Sequence, residues 1–164
     1  MVKIFVKEYG VMSFEMDYSA AKNTATNFVE LARKGYYDGL TFHRIIERFM
    51  IQGGDNKKGG PGYSIKGEFA SNGIKNPLRH DRGVISMART MYKDSASAQF
   101  FIMQKKAPHL DGEYAAFGKM IEGEEVLDKI ASVKTDYFDA PLEDVIIEKV
   151  EVIDEPVSES VKIR

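Results

Sequence analysis

The 164-residue chain contains no cysteine, which excludes disulfides, thiolate nucleophiles and cysteine-based zinc sites and fits a reducing compartment. It has no apolar run long enough for a transmembrane helix. Met1-Val2-Lys3-Ile4-Phe5-Val6-Lys7 is too short and too charged for a secretory signal. The formal net charge is only -2, so nothing draws the chain as a whole toward nucleic acid or an anionic membrane. Its histidines form no i, i+4 pair, which argues against a metal site, and no Gly-x-Ser-x-Gly elbow points to a serine hydrolase. The expectation is a soluble cytoplasmic protein, monomeric by default, that works without metal, cofactor, nucleic acid or membrane.

Hydrophobic residues make up 43% of the chain and charged residues 29%, an ordinary globular balance at a length that suits one domain over residues 1–164. Val2 to Val6 and Val11 to Met16 read as a hairpin turning at Gly10. A helix follows, with Ser19 as its N-cap and Phe28, Val29, Leu31 and Ala32 as its buried stripe, stopping before Gly35. Further strands are predicted at Leu40 to Ile46, Phe49 to Gln52, Val84 to Ala88, Gln99 to Gln104, Ala115 to Met120 and Val145 to Ile153. A second helix is predicted from Gly123 to Ala131. Residues 155–164 read as a polar tail outside the core. Many short strands with two helices indicate a mainly β domain, either a barrel or a sandwich.

Two features stand apart from this frame. Residues 53–83 form a long glycine-rich irregular region, which in a compact domain is usually functional or disordered. It lacks the Lys-Ser/Thr ending of a phosphate-binding loop, so its glycines read as turn formers around a site. Just before it, Phe42-His43-Arg44-Ile45-Ile46 and Phe49-Met50-Ile51-Gln52 read as two strands joined at Glu47-Arg48. Alternation places Phe42, Arg44 and Ile46 on one face and His43 and Ile45 on the other, and separates Phe49 and Ile51 from Met50 and Gln52. A charge among Phe, Ile and Met needs a partner or a task. His43, facing away from Arg44, reads as a hydrogen-bonded structural histidine, as does His80. Phe100 and Phe101 must face opposite ways.

Taken in order, Phe42-His43-Arg44-Ile45-Ile46, Phe49-Met50-x-Gln52-Gly53-Gly54-Asp55, Ser86-Met87-Ala88, Gln99-Phe100-Phe101-Ile102, Leu110-Asp111-Gly112 and Phe117-Gly118-Lys119 resemble the cyclophilins, which are peptidyl-prolyl cis-trans isomerases. The resemblance runs from about Val2 to about Ile153. Ser86-Met87-Ala88-Arg89-Thr90 is more similar to bacterial members than to animal ones. It implies a closed eight-stranded antiparallel β-barrel capped by two α-helices, with the substrate groove on the outer surface. By motif position, Arg44 is the catalytic arginine and Gln52 helps hold it. Phe49, Met50, Phe101 and Leu110 line the proline pocket, the backbone of Arg89 pairs with the peptide, and Ala88 and Gln99 flank the neighbouring subsite. The implied partners are proline-containing peptides and unfolded protein chains.

There are departures from the family pattern. His109 stands where many animal members carry a tryptophan that lines the pocket and donates a hydrogen bond to cyclosporin. It offers less apolar area, which implies weakened cyclosporin binding with isomerase activity retained. Tyr114 stands where a pocket histidine is frequent, an aromatic exchange expected to be tolerated. Arg89-Thr90 replaces a smaller pair and Ala98 a serine, so sequence preference beside the proline is expected to differ. Two other readings compete with an active isomerase. One is a non-catalytic module for proline-containing segments, which would not require Arg44. The other is a barrel holding a small apolar ligand in its lumen, which needs an emptier interior than these large side chains suggest.

Overall fold

The computed structural model describes all residues from Met1 to Arg164. Eight strands, β1 (Val2–Val6), β2 (Gly10–Met16), β3 (Arg44–Ile46), β4 (Met50–Gly53), β5 (Val84–Met87), β6 (Phe100–Met103), β7 (Ala116–Glu122) and β8 (Ile147–Val152), form one sheet in the order β3-β4-β6-β5-β7-β2-β1-β8. Every neighbouring pair is antiparallel. The sheet curls until its two edges meet beside β3 and β8. There Thr41 bridges Ile146, Phe42 N–H donates to Val145 O at 2.9 Å, and Ile147 N–H donates to Leu40 O at 2.7 Å. The barrel's last seam is thus a short bridge rather than a full ladder.

Alternation along the strands separates two apolar layers. Ile4, Met12, Phe14, Ile45, Ile51, Ile85, Phe100, Ile102 and Phe117 point inward, and the Phe28, Tyr37 and Phe42 rings pack against Phe100 at 5.3–5.8 Å between centroids. Large side chains fill the interior, with Phe14, Phe28, Phe42, Phe100 and Phe117 all fully buried, which leaves the lumen-ligand reading without support. Met50, Val84, Phe101, Met103 and Ala116 form a second cluster on the outer side of the same strands. The two helices, α1 (Lys22–Arg33) and α2 (Glu124–Ala131), pack against β7 and β8 and against β2, β3 and β4 respectively. At the start of α2, Gly123 has φ +108° and a Cβ there would lie 2.6 Å from Val11 O, so only glycine fits.

Several local expectations are corrected. Ser19 does not cap α1. It lies before the helix, and its Oγ donates to Asp17 Oδ1 at 2.7 Å. The N-cap is Ala21, which supplies no side-chain bond. The free N–H groups are met instead by Glu68 from the long irregular region, whose Oε1 accepts from Thr24 N–H and Thr24 Oγ, both at 2.6 Å, and whose Oε2 accepts from Asn23 N–H at 3.3 Å. A carboxylate suits that place because α1 brings no acidic residue of its own to its first turn.

The C-terminal segment lies outside the barrel but is strapped over α1. Ser160 is only 8% exposed, and its Oγ donates to Glu30 Oε1 at 2.9 Å. Val161 N–H donates to Asn23 Oδ1 at 2.7 Å, Lys162 Nζ reaches Glu30 at 2.8 Å, and Ile163 exchanges two backbone hydrogen bonds with Ser64. Burial would raise the Glu30 carboxyl, but bonds from Lys162 and Ser160 outweigh it and hold its pKa below the usual value. Polar composition alone did not predict the strap, because its partners lie more than 90 residues away in sequence.

Replacing Glu68 by alanine is expected to uncover the α1 N-terminus and lower stability by about 1–2 kcal/mol. The urea midpoint should fall with an unchanged slope, and an unaltered midpoint would remove Glu68 from this role.

Candidate active site

The register of β3 on β4 sets Arg44 opposite Gln52 and Ile46 opposite Met50. β6 adds Phe101 opposite Gln52. These outward positions, with the turns that follow them, enclose a groove of about 240 Å³ lined by Arg44, Phe49, Met50, Gln52, Ala88, Arg89, Phe101, Leu110 and Tyr114. Two predictions from alternation fail here. Phe42 does not share the face of Arg44, because regular strand begins only at Arg44 and Phe42 turns into the core. Phe49 does not side with Ile51 either. It lies in the turn before β4, where Arg48 has φ +66°, and it packs on the outer cluster beside Met50.

The polar end of the groove is a chain of side-chain amides. Arg44 Nη1 donates to Gln52 Oε1 at 3.3 Å, and Gln52 Nε2 donates to Gln99 Oε1 at 3.0 Å. Gln52 thereby holds one edge of the guanidinium, and Arg44 is otherwise exposed. Gln99 does not line the groove itself. It lines an adjoining cleft of about 260 Å³ with Gly54, Asp55, Asn56, Gly59, Gly60, Ser97 and Ala98. Gly54 has φ +93°, and a Cβ there would lie 3.0 Å from the Tyr37 ring. The Gly53-Gly54 pair is therefore needed where the chain leaves β4 against a filled core.

The apolar end is braced from behind. Phe101 meets Tyr114 edge-on at 5.6 Å and stacks on His80 at 6.0 Å with the rings 14° from parallel. His80 is 1% exposed. Its Nδ1 lies 3.0 Å from Asp111 Oδ1 and its Nε2 lies 2.8 Å from Ser86 Oγ. A carboxylate only accepts, so Nδ1 carries the proton and Nε2 accepts from Ser86. Asp111 Oδ1 also accepts from His80 N–H at 2.7 Å, which ties the 3₁₀ turn Pro108–Leu110 to the back of the groove. His109 does not line the groove. It is exposed and stacks on Phe49 with centroids 6.0 Å apart. His43 differs from the satisfied histidine expected, since its Nδ1 is buried without a hydrogen-bond partner.

Arg89 takes part in a way its sequence position did not reveal. Its guanidinium lies between the rings of Phe69, at 4.9 Å, and Tyr114, at 4.7 Å. Nε and Nη2 both donate to Glu113 O, at 3.0 and 2.6 Å. The side chain is thus a clamp beside Tyr114, fixed by two rings and one carbonyl. Phe69 and His80, neither of which sequence reasoning placed at the site, are supports whose partners lie far away along the chain.

The family model described as cyclophilin type peptidyl-prolyl cis-trans isomerase/CLD matches residues 1–152. A Helicobacter pylori peptidyl-prolyl cis-trans isomerase is 46% identical over 126 residues, which cover 74% of this chain and 74% of that protein. A Rhizopus delemar protein named peptidyl-prolyl cis-trans isomerase-like 2 is 41% identical over 156 residues, and the match covers 94% of this chain but 29% of that protein. The chain therefore spans less than a third of the length of that relative. The crystal structure of a Cryptosporidium parvum cyclophilin type peptidyl-prolyl cis-trans isomerase, in the presence of the dipeptide Ala-Pro, superposes with a TM-score of 0.83 at 34% identity, covering 94% of this chain and 99% of that one.

Burial lowers the pKa of His80 against the raising pull of Asp111. The unfolded chain therefore binds this proton more readily. The stabilisation is fully present above the ordinary histidine pKa of about 6.5 and is lost as the pH falls below it toward the folded value. The His80 ring resonances are expected to titrate with a midpoint below about 6.5, and stability is expected to decline as the pH falls below that value. A ring that titrates at or above 6.5 would contradict this.

Proposed function

The chain belongs to the cyclophilin-type peptidyl-prolyl cis-trans isomerases, and from that premise we propose that it accelerates rotation about X-Pro bonds, with Arg44 stabilising the twisted amide while the outer apolar cluster holds the proline ring. The observation that carries this reading is the placement of a guanidinium, steadied by Gln52 at 3.3 Å, at the polar end of a groove floored by Met50 and Phe101.

Amide resonance sets a rotation barrier of about 18–20 kcal/mol. Twisting the bond breaks that resonance and leaves a lone pair on the prolyl nitrogen, which becomes a better acceptor. A guanidinium donates to that lone pair in the twisted state and finds little to bind in the planar one, which is the differential binding catalysis requires. Arginine suits the task because it stays protonated and presents its donors in a fixed fork, whereas lysine is a mobile point charge. Phe49, Met50, Phe101 and Leu110 grip the ring so that the other side of the bond turns. The backbone at Arg89 fixes the residue before proline, and Ala88 and Gln99 border its subsite. Rotation breaks no covalent bond, so nucleophile, metal and acid–base pair have no step to serve.

The clients proposed are unfolded chains presenting proline, met by a monomer in a reducing cytoplasm, where a cysteine-free chain is at home. Cyclosporin binding is proposed to be weak, because His109 lies beside Phe49 and offers less apolar area than tryptophan. Its dissociation constant should exceed that of a tryptophan-bearing cyclophilin measured in parallel, and equal affinity would refute the role given to His109.

Arg44→Ala is expected to lower kcat/KM for a short X-Pro peptide roughly tenfold to a hundredfold or more. A charge-assisted hydrogen bond contributes about 1.5–3 kcal/mol. Magnetisation-exchange NMR on the peptide tests this. A mutant as active as wild type would remove Arg44 from the mechanism, and a wild type that leaves exchange unchanged would point to a binding module.

A further inference from the structure

Beyond the strand that carries Arg44, another segment of the chain meets the sheet. β3 is the edge of the ladder, and its Ile45 N–H donates to Asp139 O at 2.8 Å, so the turn around Asp139 meets that edge where a further strand would lie. This segment is a fixed turn. Asp136 Oδ1 accepts from Phe138 N–H at 2.8 Å and from Ala140 N–H at 3.0 Å, Asp136 N–H donates to Ala140 O at 2.8 Å, and Thr135 bridges Pro141. At its tip stand Tyr137 and Phe138, 95% and 82% exposed, packed edge-on with centroids 5.5 Å apart. The turn is closed by backbone and by Asp136, so it does not need those rings. Two adjoining aromatics held out in water are the kind of apolar surface that marks an interaction site.

Neighbouring strands are spaced by about 4.7–4.9 Å. Phe101 on β6 is two strands from β3 and three from the turn, a distance of roughly 14 Å. An extended chain spans about 3.3–3.6 Å per residue. With the residue before proline at Ala88 and Arg89, a chain crossing β4 and β3 reaches the turn about four residues after the proline.

We propose that Tyr137 and Phe138 form an accessory platform that holds an apolar side chain about four residues after the isomerised proline in an unfolded client chain. The proposal rests on the groove being the isomerase site. The continuity of the turn with β3 argues for a client lying in the groove. In sequence the aromatics are flanked by Asp136, Asp139, Glu143 and Asp144 against one cation, Lys134, and that excess of carboxylates argues against an anionic lipid surface.

The test compares wild type with the double variant Tyr137→Ser, Phe138→Ser, following X-Pro exchange by NMR. Three peptides are used: one ending a single residue after proline, one with leucine four residues after it, and one with glycine there. Wild type is expected to show a KM about fivefold lower for the leucine peptide than for the glycine peptide, as befits one apolar contact. The double variant should lose that difference while keeping wild-type kcat/KM on the short peptide. A wild type that treats the two long peptides alike, or a variant that keeps the preference, overturns the platform. So does sedimentation showing a wild-type dimer that the variant abolishes, since the rings would then face a second copy. Wild type without activity on the short peptide would overturn the isomerase reading itself, a result separate from normal exchange without leucine preference.

Discussion

The antiparallel register that sets Arg44 opposite Gln52 governs both faces of the barrel wall at once. Side chains alternate along a strand, so a slip of one residue between β3 and β4 would carry Arg44 into the aromatic core and turn Ile45 out to water. Core and groove therefore specify each other. Ile45 and Ile51, both essentially unexposed, hold the register from inside. From outside, Arg44 and Gln52 are set side by side, close enough for one guanidinium N–H to be held.

The same division runs through β6, where consecutive phenylalanines serve different layers. Phe100 packs among Phe28, Tyr37 and Phe42, while Phe101 floors the groove between Tyr114 and His80. A filled interior gives the outer cluster a wall that does not yield. Behind Phe101 the rigidity is polar. His80, clasped by Asp111 and Ser86, joins the irregular region, β5 and the Pro108–Leu110 turn at one buried imidazole.

Irregular segments acquire order here from charged and amide side chains rather than from repeating backbone structure. Glu68 closes the start of α1. Asn27, fully buried on α1, donates to Ser97 O at 2.6 Å and accepts from Ser160 Oγ at 3.2 Å. One asparagine thus links the C-terminal strap to the loop that precedes Gln99. The walls of the cleft beside the groove are in this way connected to a tail that never touches it.

Much of this was legible in the linear chain. Apolar spacing located the eight strands and two helices to within a few residues, because periods of 2 and 3.6 are local properties of the sequence. The ordered motifs identified the family and named eleven residues, of which nine line one groove while Gln99 lines the adjoining cleft and His109 stacks on Phe49. What the chain alone did not determine depended on distant partners. Phe42 faces inward because strand geometry starts at Arg44, and Phe49 joins the groove because a turn carries it there. The helix cap comes from Glu68 instead of Ser19, the arginine at position 89 is a clamp between two rings, and Tyr137 and Phe138 stay in water. Local pattern decides which residues form an element and which of its faces is apolar. Only the folded chain decides which remote carboxylate, carbonyl or ring meets that face, because such contacts join residues tens of positions apart whose pairing no local period encodes.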